Sequence, residues 1–247
     1  MDGLNLKRGL NLVFSCLLCF CALLFAASAE GATGQWLQKA SGATARVDHT
    51  AVAHNGKIYV FAGSDSSLDL DDLWEYDIAS NSWTQKTSGP APRDCHSAVV
   101  HNGKMYVFGG YGDAEFDDVW EYDITNDTWT QKNSGSIGRH NHTAVVYNGK
   151  MYVFGGKDHT GSFVALNDLW EYDIATDIWS QKTSAPVARR VPSAVVYNGK
   201  MYVFGGVDEN DNIFNELWEY DFSTDSWTQK TDAPFSRADH SAVTLPI

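Results

Sequence analysis

The chain has 247 residues, of which 18 are Lys or Arg and 31 are Asp or Glu, for a formal charge of −13. An acidic balance of that size repels nucleic acid and anionic membrane surfaces, so neither is an expected partner. Apolar residues make up 43% of the chain and there are only four cysteines, which points to a packed core and away from a disulfide framework.

Lys7 and Arg8 precede an apolar run across residues 10–25, and Ala27-Ser28-Ala29 has the small-x-small pattern of a signal-peptidase site. Residues 1–29 therefore read as a signal peptide and residues 30–247 as the mature chain, with a retained membrane anchor as the other reading. Removing Asp2, Lys7 and Arg8 leaves 16 basic and 30 acidic residues, a formal charge of −14. Cys16, Cys19 and Cys21 leave with the same segment, so Cys95 has no partner within the mature chain. A secreted or periplasmic location is the expectation, with no membrane insertion once the signal is gone.

The mature chain is a repeat array. Residues 34–45 carry Trp36-Leu37-Gln38-Lys39, which matches only the end of each later repeat. Full repeats follow at residues 46–92, 93–138, 139–188 and 189–236, and residues 237–247 begin another. Each opens with an arginine (Arg46, Arg93, Arg139, Arg189, Arg237). Then comes NGKMYVFGG at residues 102–110, 148–156 and 198–206, or NGKIYVFAG at residues 55–63. Asn-Gly suits a two-residue hairpin turn, because both residues tolerate positive φ. The apolar run after it reads as a strand buried on both faces, and the glycines end it. A variable loop leads to a half-buried strand such as Trp120-Glu121-Tyr122-Asp123, and a short turn leads to a last strand such as SWTQK. No segment has helical periodicity.

The spacing is as regular as the motifs. The opening Arg and the second Gly are 17 residues apart, the paired Trp (Trp74 and Trp83, for example) are 9 apart, and the second Trp precedes the next Arg by 10. Only the interval from the second Gly to the first Trp varies, at 11, 10, 14 and 12 residues. All length variation thus falls in one loop type.

These landmarks resemble the kelch repeat, whose period is near ~50 residues. The matching signature is Arg-x-x-His, the diglycine, the Tyr-Asp pair and the Trp six residues after that Asp, and it covers about residue 34 onward. The resemblance implies an all-β fold: a kelch-type β-propeller with four complete four-stranded blades plus two partial ones, the first strand of each blade innermost and the fourth outermost. The small residues of His96-Ser97-Ala98 suit the crowded axis, and the Trp and Tyr suit the wider volume between blades. Ala62 replaces the first glycine of repeat one and Pro192 the histidine of repeat four. The partial repeats would supply only an outermost strand (residues 36–39) and an innermost one (residues 237–243), so the expectation is an incomplete ring with open blade edges available for self-association, with a strained ring of four blades as the other reading.

Strand reversal places the variable loops and the loops around each Arg on one face, which in kelch proteins is the usual ligand face. His49, His96, His142 and His240 share one repeat position and read as packing residues, with a metal ring as the competing reading. Asp77, Asp123, Asp173 and Asp221 read as turn caps. The Arg series reads as backbone or inter-blade contacts. Asp65, Asp113, Glu115, Lys157, His159, Arg190, Asp208 and Glu209 are polar residues of the ligand face that symmetry does not explain, and they are the candidate ligand-binding residues. No cofactor is expected. Ca²⁺ is the one metal the acidic loops (Asp65, Asp69, Asp71, Asp72; Asp113, Glu115, Asp117, Asp118) have oxygens for. Asp208-x-Asn210-x-Asn212 begins like an EF-hand loop, but Ile213 stands where glycine is needed.

Function reads as a non-catalytic secreted interaction module for a protein or glycan ligand. The alternative is a carbohydrate-active enzyme, since the resemblance extends to sialic acid mutarotases and copper-dependent sugar oxidases. Cys95 has no oxidase-like context, whereas His140, His159, Lys157, Arg190 and Glu209 are the polar set a mutarotase reading would use.

Overall fold

The computed structural model describes residues 35–135, 137–158 and 164–244. The segment read as a signal peptide and His159 lie outside the described residues. Regular structure among those described is entirely β. Blade 1 holds β1 (Thr50–His54), β2 (Lys57–Phe61), β3 (Leu73–Asp77) and β4 (Ser82–Lys86). Blade 2 holds β5 (Ser97–His101), β6 (Lys104–Phe108), β7 (Val119–Asp123) and β8 (Thr128–Lys132). Blade 3 holds β9 (Thr143–Tyr147), β10 (Lys150–Phe154), β11 (Leu169–Asp173) and β12 (Ile178–Lys182). Blade 4 holds β13 (Ser193–Tyr197), β14 (Lys200–Phe204), β15 (Leu217–Asp221) and β16 (Ser226–Gln229). Each blade is one antiparallel sheet in sequence order, and β1, β5, β9 and β13 lie side by side.

The hairpin turns form as the sequence dictates. Asn55, Asn102, Asn148 and Asn198 have φ of 47° or 48°, and each following glycine has φ of 70–75°. That double positive φ suits a type I′ turn and sets the register His101↔Lys104 through Ser97↔Phe108. The diglycine has a different reason. A Cβ on Gly109 would sit 2.5 Å from the Arg139 carbonyl, and one on Gly110 2.7 Å from the Asp94 carbonyl. Ala62 occupies the first of these positions with φ 54° and is fully buried, so repeat one accommodates a methyl group where the others have only hydrogen.

The core lies between blades. One face of each sheet presents Tyr59, Phe61 and Leu73 or their equivalents toward the next blade, which answers with Met105, Val107 and Tyr122. The same set recurs between blades 2 and 3 and between blades 3 and 4. Tyrosines fill this space as expected, but the tryptophans do not reach full burial: the largest fully buried side chains are arginines, tyrosines and phenylalanines. The outer-strand Trp129, Trp179 and Trp227 pack on the margin at 5.0–5.2 Å from Phe61, Phe108 and Phe154.

The two partial repeats differ from expectation. Neither residues 36–39 nor residues 237–243 form a strand. An outermost strand hydrogen-bonds to the third strand of its blade and an innermost one to the second, and among the described residues no such strand lies beside these segments. They are nevertheless docked in register. Ala40 accepts from the Trp83 indole at 2.8 Å, as Thr87 does from Trp129 at 3.0 Å, and the Gly206 amide donates to the Arg237 carbonyl at 2.8 Å, as Gly110 does to Arg139 at 2.9 Å.

Candidate functional site

Four arginines fasten the variable loops to the scaffold. Arg93 is fully buried; its Nη1 donates to the Gly109 carbonyl at 3.0 Å and its guanidinium grips Asp118 through two bonds of 2.7 and 3.0 Å. Arg139 does the same with Gly155 and Asp168, and Arg46 with Ala62 and Asp72. Arg189 reaches Gly205 and Glu216. Each carboxylate also accepts the indole N–H two residues on, from Trp74, Trp120, Trp170 or Trp218. Burial works against ionisation of Asp72 and Asp168, but the paired guanidinium and the indole hold both below the usual carboxylate range. The arginines therefore bond to backbone, as expected, and to a carboxylate of their own blade instead of bridging blades. Asp72 and Asp118, read as possible Ca²⁺ ligands, are occupied here.

The opposite face is occupied structurally as well. Asp77, Asp123, Asp173 and Asp221 cap the turns after them by accepting backbone N–H groups. Asp127, Asp177 and Asp225, on the same turns, join neighbouring blades: Asp127 accepts from the Tyr122 hydroxyl at 2.7 Å and from the Thr87 amide of blade 1 at 2.9 Å.

At the axis, Asp48, Cys95, Asn141, Val191 and Asp239 all have φ between 49° and 58°. Successive members are joined by main-chain bonds: Cys95 N–H to Asp48 O at 3.0 Å, Asn141 to Cys95 at 2.9 Å and Val191 to Asn141 at 2.7 Å. They line a cavity of about 230 Å³ together with His49, His96, His142, Pro192 and His240. The histidines pack as read from the sequence: Nε2 of His96, His142 and His240 meets the hydroxyl of Thr50, Ser97 and Ser193 in the preceding blade at 2.7–2.8 Å. Ligand atoms of Asp48, Asp94 and Cys95 lie within 4.8 Å of one another. Burial, then Asp69 and Asp48, raises the Asp94 carboxyl to about 6, and burial, then Asp48, Asp94 and Asp239, pushes the Cys95 thiol far up, which disfavours its thiolate.

The Arg loops and the variable loops share one face, because an isolated bridge ties each Arg loop to its variable loop: Val47 to Ser64, Asp94 to Tyr111, His140 to Lys157 and Arg190 to Val207. The candidate residues fall into three groups. Asp65 and Asp113 line one cleft of about 470 Å³ between the variable loops of blades 1 and 2, with Ser64, Ser67, Leu68, Asp69, Pro92 and Phe116. Glu115 meets Nδ1 of the buried His140 at 2.7 Å across blades 2 and 3, beside the Lys157 bridge, and the His140 ring tilts over Tyr111 at 5.5 Å. Arg190, Asp208 and Glu209 belong to blade 4, where Arg190 pairs with Asp211. The Asp208 carboxylate is engaged by Asn212 and by the backbone of Asn210 and Asn212, and Glu219, the twelfth residue of the EF-hand-like stretch, pairs with Lys200 and Lys230. That loop is a capped turn built from its own side chains.

The model of the KLHDC2/KLHL20/DRC7 Kelch-repeats domain matches residues 24–137 and 133–246. The chain belongs to the kelch-repeat family. A solved structure of YjhT is similar to it with a TM-score of 0.69 at 21% identity, covering 78% of this chain and 67% of that one, a likeness that shows the shared fold. No curated protein matches the chain.

Within this kelch chain, sequence reasoning missed two structural sets for which signals were present. The carboxylate gripped by each Arg always stands two residues before the first Trp (Asp72, Asp118, Asp168, Glu216). The Glu of each WEYD strand bridges blade chemistry too: Glu75 accepts from Lys57 and from the Tyr59 hydroxyl, and Glu121 and Glu171 repeat the arrangement. Both sets recur at fixed spacing, which marks them as scaffold. The cleft holding Asp65 and Asp113 has no such recurrence. Asp65 Oδ1 accepts the Ser67 and Leu68 amides at 2.7 and 2.8 Å, which keeps the carboxylate ionised and aims it from a fixed turn. Chemically the cleft offers negative charge beside the apolar surface of Leu68 and Phe116.

Proposed function

We propose that the chain is a non-catalytic interaction module, exported from the cell, whose variable-loop face engages a protein or glycan ligand. The observation that carries this reading is the cleft of about 470 Å³ between the variable loops of blades 1 and 2, where Asp65, Asp69 and Asp113 stand with Leu68 and Phe116. Carboxylates flanked by apolar side chains suit a basic side chain of a protein ligand, whose aliphatic stem lies along the apolar wall and whose charge meets the acids. Kelch propellers generally mediate protein binding, which favours a protein over a glycan. The catalytic alternative draws less support. Its polar set is divided between the Glu115–His140 contact of blades 2 and 3 and the Arg190–Asp211 pair of blade 4.

A pull-down from the surrounding fluid, followed by titration of the captured ligand at two salt concentrations, tests the reading. Asp65→Asn with Asp113→Asn should weaken binding at least tenfold and flatten its salt dependence. Asn126→Ala on the opposite face should leave affinity unchanged. Asp127 is unsuitable for that control because it clamps blade 2 to blade 1. Binding lost in the Asn126 variant and kept in the double variant would overturn the face assignment. Turnover in a sugar mutarotation or oxidation assay would replace the module with the enzyme.

A further inference from the structure

Two Asn-x-Ser/Thr sequons occur in the chain, Asn126-Asp127-Thr128 and Asn141-His142-Thr143, and the fold treats them differently. Asn141 is a scaffold position. It has φ 58° at the axis, where Asp48, Cys95 and Asp239 have φ of 52–54°, a region that Asn and Asp tolerate better than most residues. Its N–H donates to the Cys95 carbonyl at 2.9 Å, its carbonyl accepts from Val191 at 2.7 Å, and it lines the axial cavity of about 230 Å³. Thr143 stands where Thr50, Ser97 and Ser193 place the hydroxyl that meets a histidine of the next repeat. Recurrence thus accounts for both ends of this sequon.

Recurrence does not account for Asn126. It lies on the turn between β7 and β8, where the other blades have Ser80, Thr176 and Thr224, and all four are exposed. The cap needs no asparagine: Asp77 and Asp173 accept the Ser80 and Thr176 amides at 2.8 and 3.0 Å, as Asp123 accepts that of Asn126 at 2.9 Å. Asp127 is committed to Tyr122 and Thr87, while Asn126 and Thr128 on either side of it are exposed. The turn lies on the face opposite the variable loops.

We propose that Asn126 is the N-glycan acceptor of this chain and that Asn141 is not, an inference that rests on the export proposed above. The donor is an oligosaccharide carried on a polyprenyl diphosphate, which an oligosaccharyltransferase of the secretory lumen presents. The Asn126 amide nitrogen bonds to the anomeric carbon and loses one proton. The bond from that carbon to the phosphate oxygen breaks, and the polyprenyl diphosphate leaves. The modified nitrogen keeps one hydrogen, so its bond to Asp123 Oδ2, 3.0 Å long, survives. A glycan there stands in solvent and leaves the variable-loop face open. A glycan on Asn141 would have to occupy an axial cavity too small for an oligosaccharide, and a chain carrying one would not pack its inner strands.

Expression of the full chain in cultured eukaryotic cells, with intact mass and peptide mapping of the secreted protein, tests the proposal. The secreted chain should carry one N-glycan, and peptide N-glycosidase should remove it and leave a carboxylate on the Asn126 side chain. Asn126→Gln or Thr128→Ala should each abolish the glycan, and Thr128→Ser should keep it. Thr143→Ala, which removes the second sequon without touching the left-handed residue, should leave the glycan unchanged. The melting temperature should be the same before and after enzymatic removal, because both substituents of the turn face solvent. The same chain behind a proven leader in place of residues 1–29 separates this inference from export. A bare chain secreted behind that leader, or a glycan on Asn141, overturns the acceptor assignment. Glycosylation behind the proven leader alone would overturn only export by the native segment.

Discussion

Val191→Asn should make the protein more stable. Val191 has φ 49° at the axial position where Asp48, Cys95, Asn141 and Asp239 have φ of 52–58°. A left-handed residue costs an L-amino acid roughly 1–2 kcal/mol, and β-branching places Val at the upper end, whereas Asn tolerates that region. Against this stands the packing lost when a half-buried Val is replaced, about half of the ~1.5 kcal/mol that full burial of a small aliphatic side chain contributes. The difference leaves a gain of about 0.5–1 kcal/mol, or ~1–4 °C in melting temperature for a chain of this size. Main-chain bonds should survive, because the Val191 N–H to Asn141 O contact of 2.7 Å uses no side-chain atom and Asn141 makes the same contact with Cys95. Urea unfolding followed by tryptophan fluorescence, with the m-value checked for constancy, measures the change. A variant equal to or less stable than the parent would refute the strain argument. Ala62→Gly offers a parallel case, since Ala62 has φ 54° where the other blades have glycine, and the same reasoning expects a smaller gain.

Arg139→Met should cost ~3–5 kcal/mol, because it leaves the Asp168 carboxylate without its guanidinium in a site where the arginine is 1% exposed. Adding Asp168→Leu should recover part of that loss in the same urea titration, and a double variant no better than the single would show that the cost is only lost volume. Stability should also depend on pH with a defined sign. Asp94 has its folded-state value raised from 3.8 to about 6, so its contribution is present in full below about pH 4 and is lost as pH rises through 6. Glu219 behaves oppositely: burial resists its ionisation, but Lys200 and Lys230 lower it to about 2, so its contribution is present above about pH 4.5 and lost as pH falls toward 2. Melting temperature should therefore peak near pH 4 to 4.5, and Asp94→Asn should raise it most at pH 7.5, by about half as much at pH 5, and little at pH 3.5. An unchanged profile in that variant would contradict the assignment.

The four blades and the sharing of one face by the variable loops and the Arg loops were legible because they rest on periodic spacing. Nine Trp on two repeat positions fix the strand order, and one loop type alone varies in length. The roles of acidic residues were harder to read, since Asp65 and Asp72 look alike in a stretch of four aspartates. Only their neighbours in space separate them: Arg46 and the Trp74 indole hold Asp72, while Asp65 lines the cleft. Recurrence would have resolved part of this, because an acid stands two residues before every first Trp. Strand formation at residues 36–39 and 237–243 failed for a reason that local sequence does not express. Their residues match the repeats, but a strand exists only beside a paired neighbour.

The interfaces between blades repeat the same parts, and this makes the whole blade the unit in which such a molecule changes size. If residues 93–138 were excised, Thr50 would meet His142 where it now meets His96, Tyr59 and Phe61 would pack on Met151 in place of Met105, and the Thr87 amide would find Asp177 in place of Asp127. A deletion or duplication between the arginine and the diglycine, by contrast, would shift the arginine away from its carbonyl, whereas the variable loop changes length without moving either partner. Recombination between repeats is thus conservative at this period and disruptive at others, so lineages of such chains can gain or shed blades while each remaining contact keeps its chemistry.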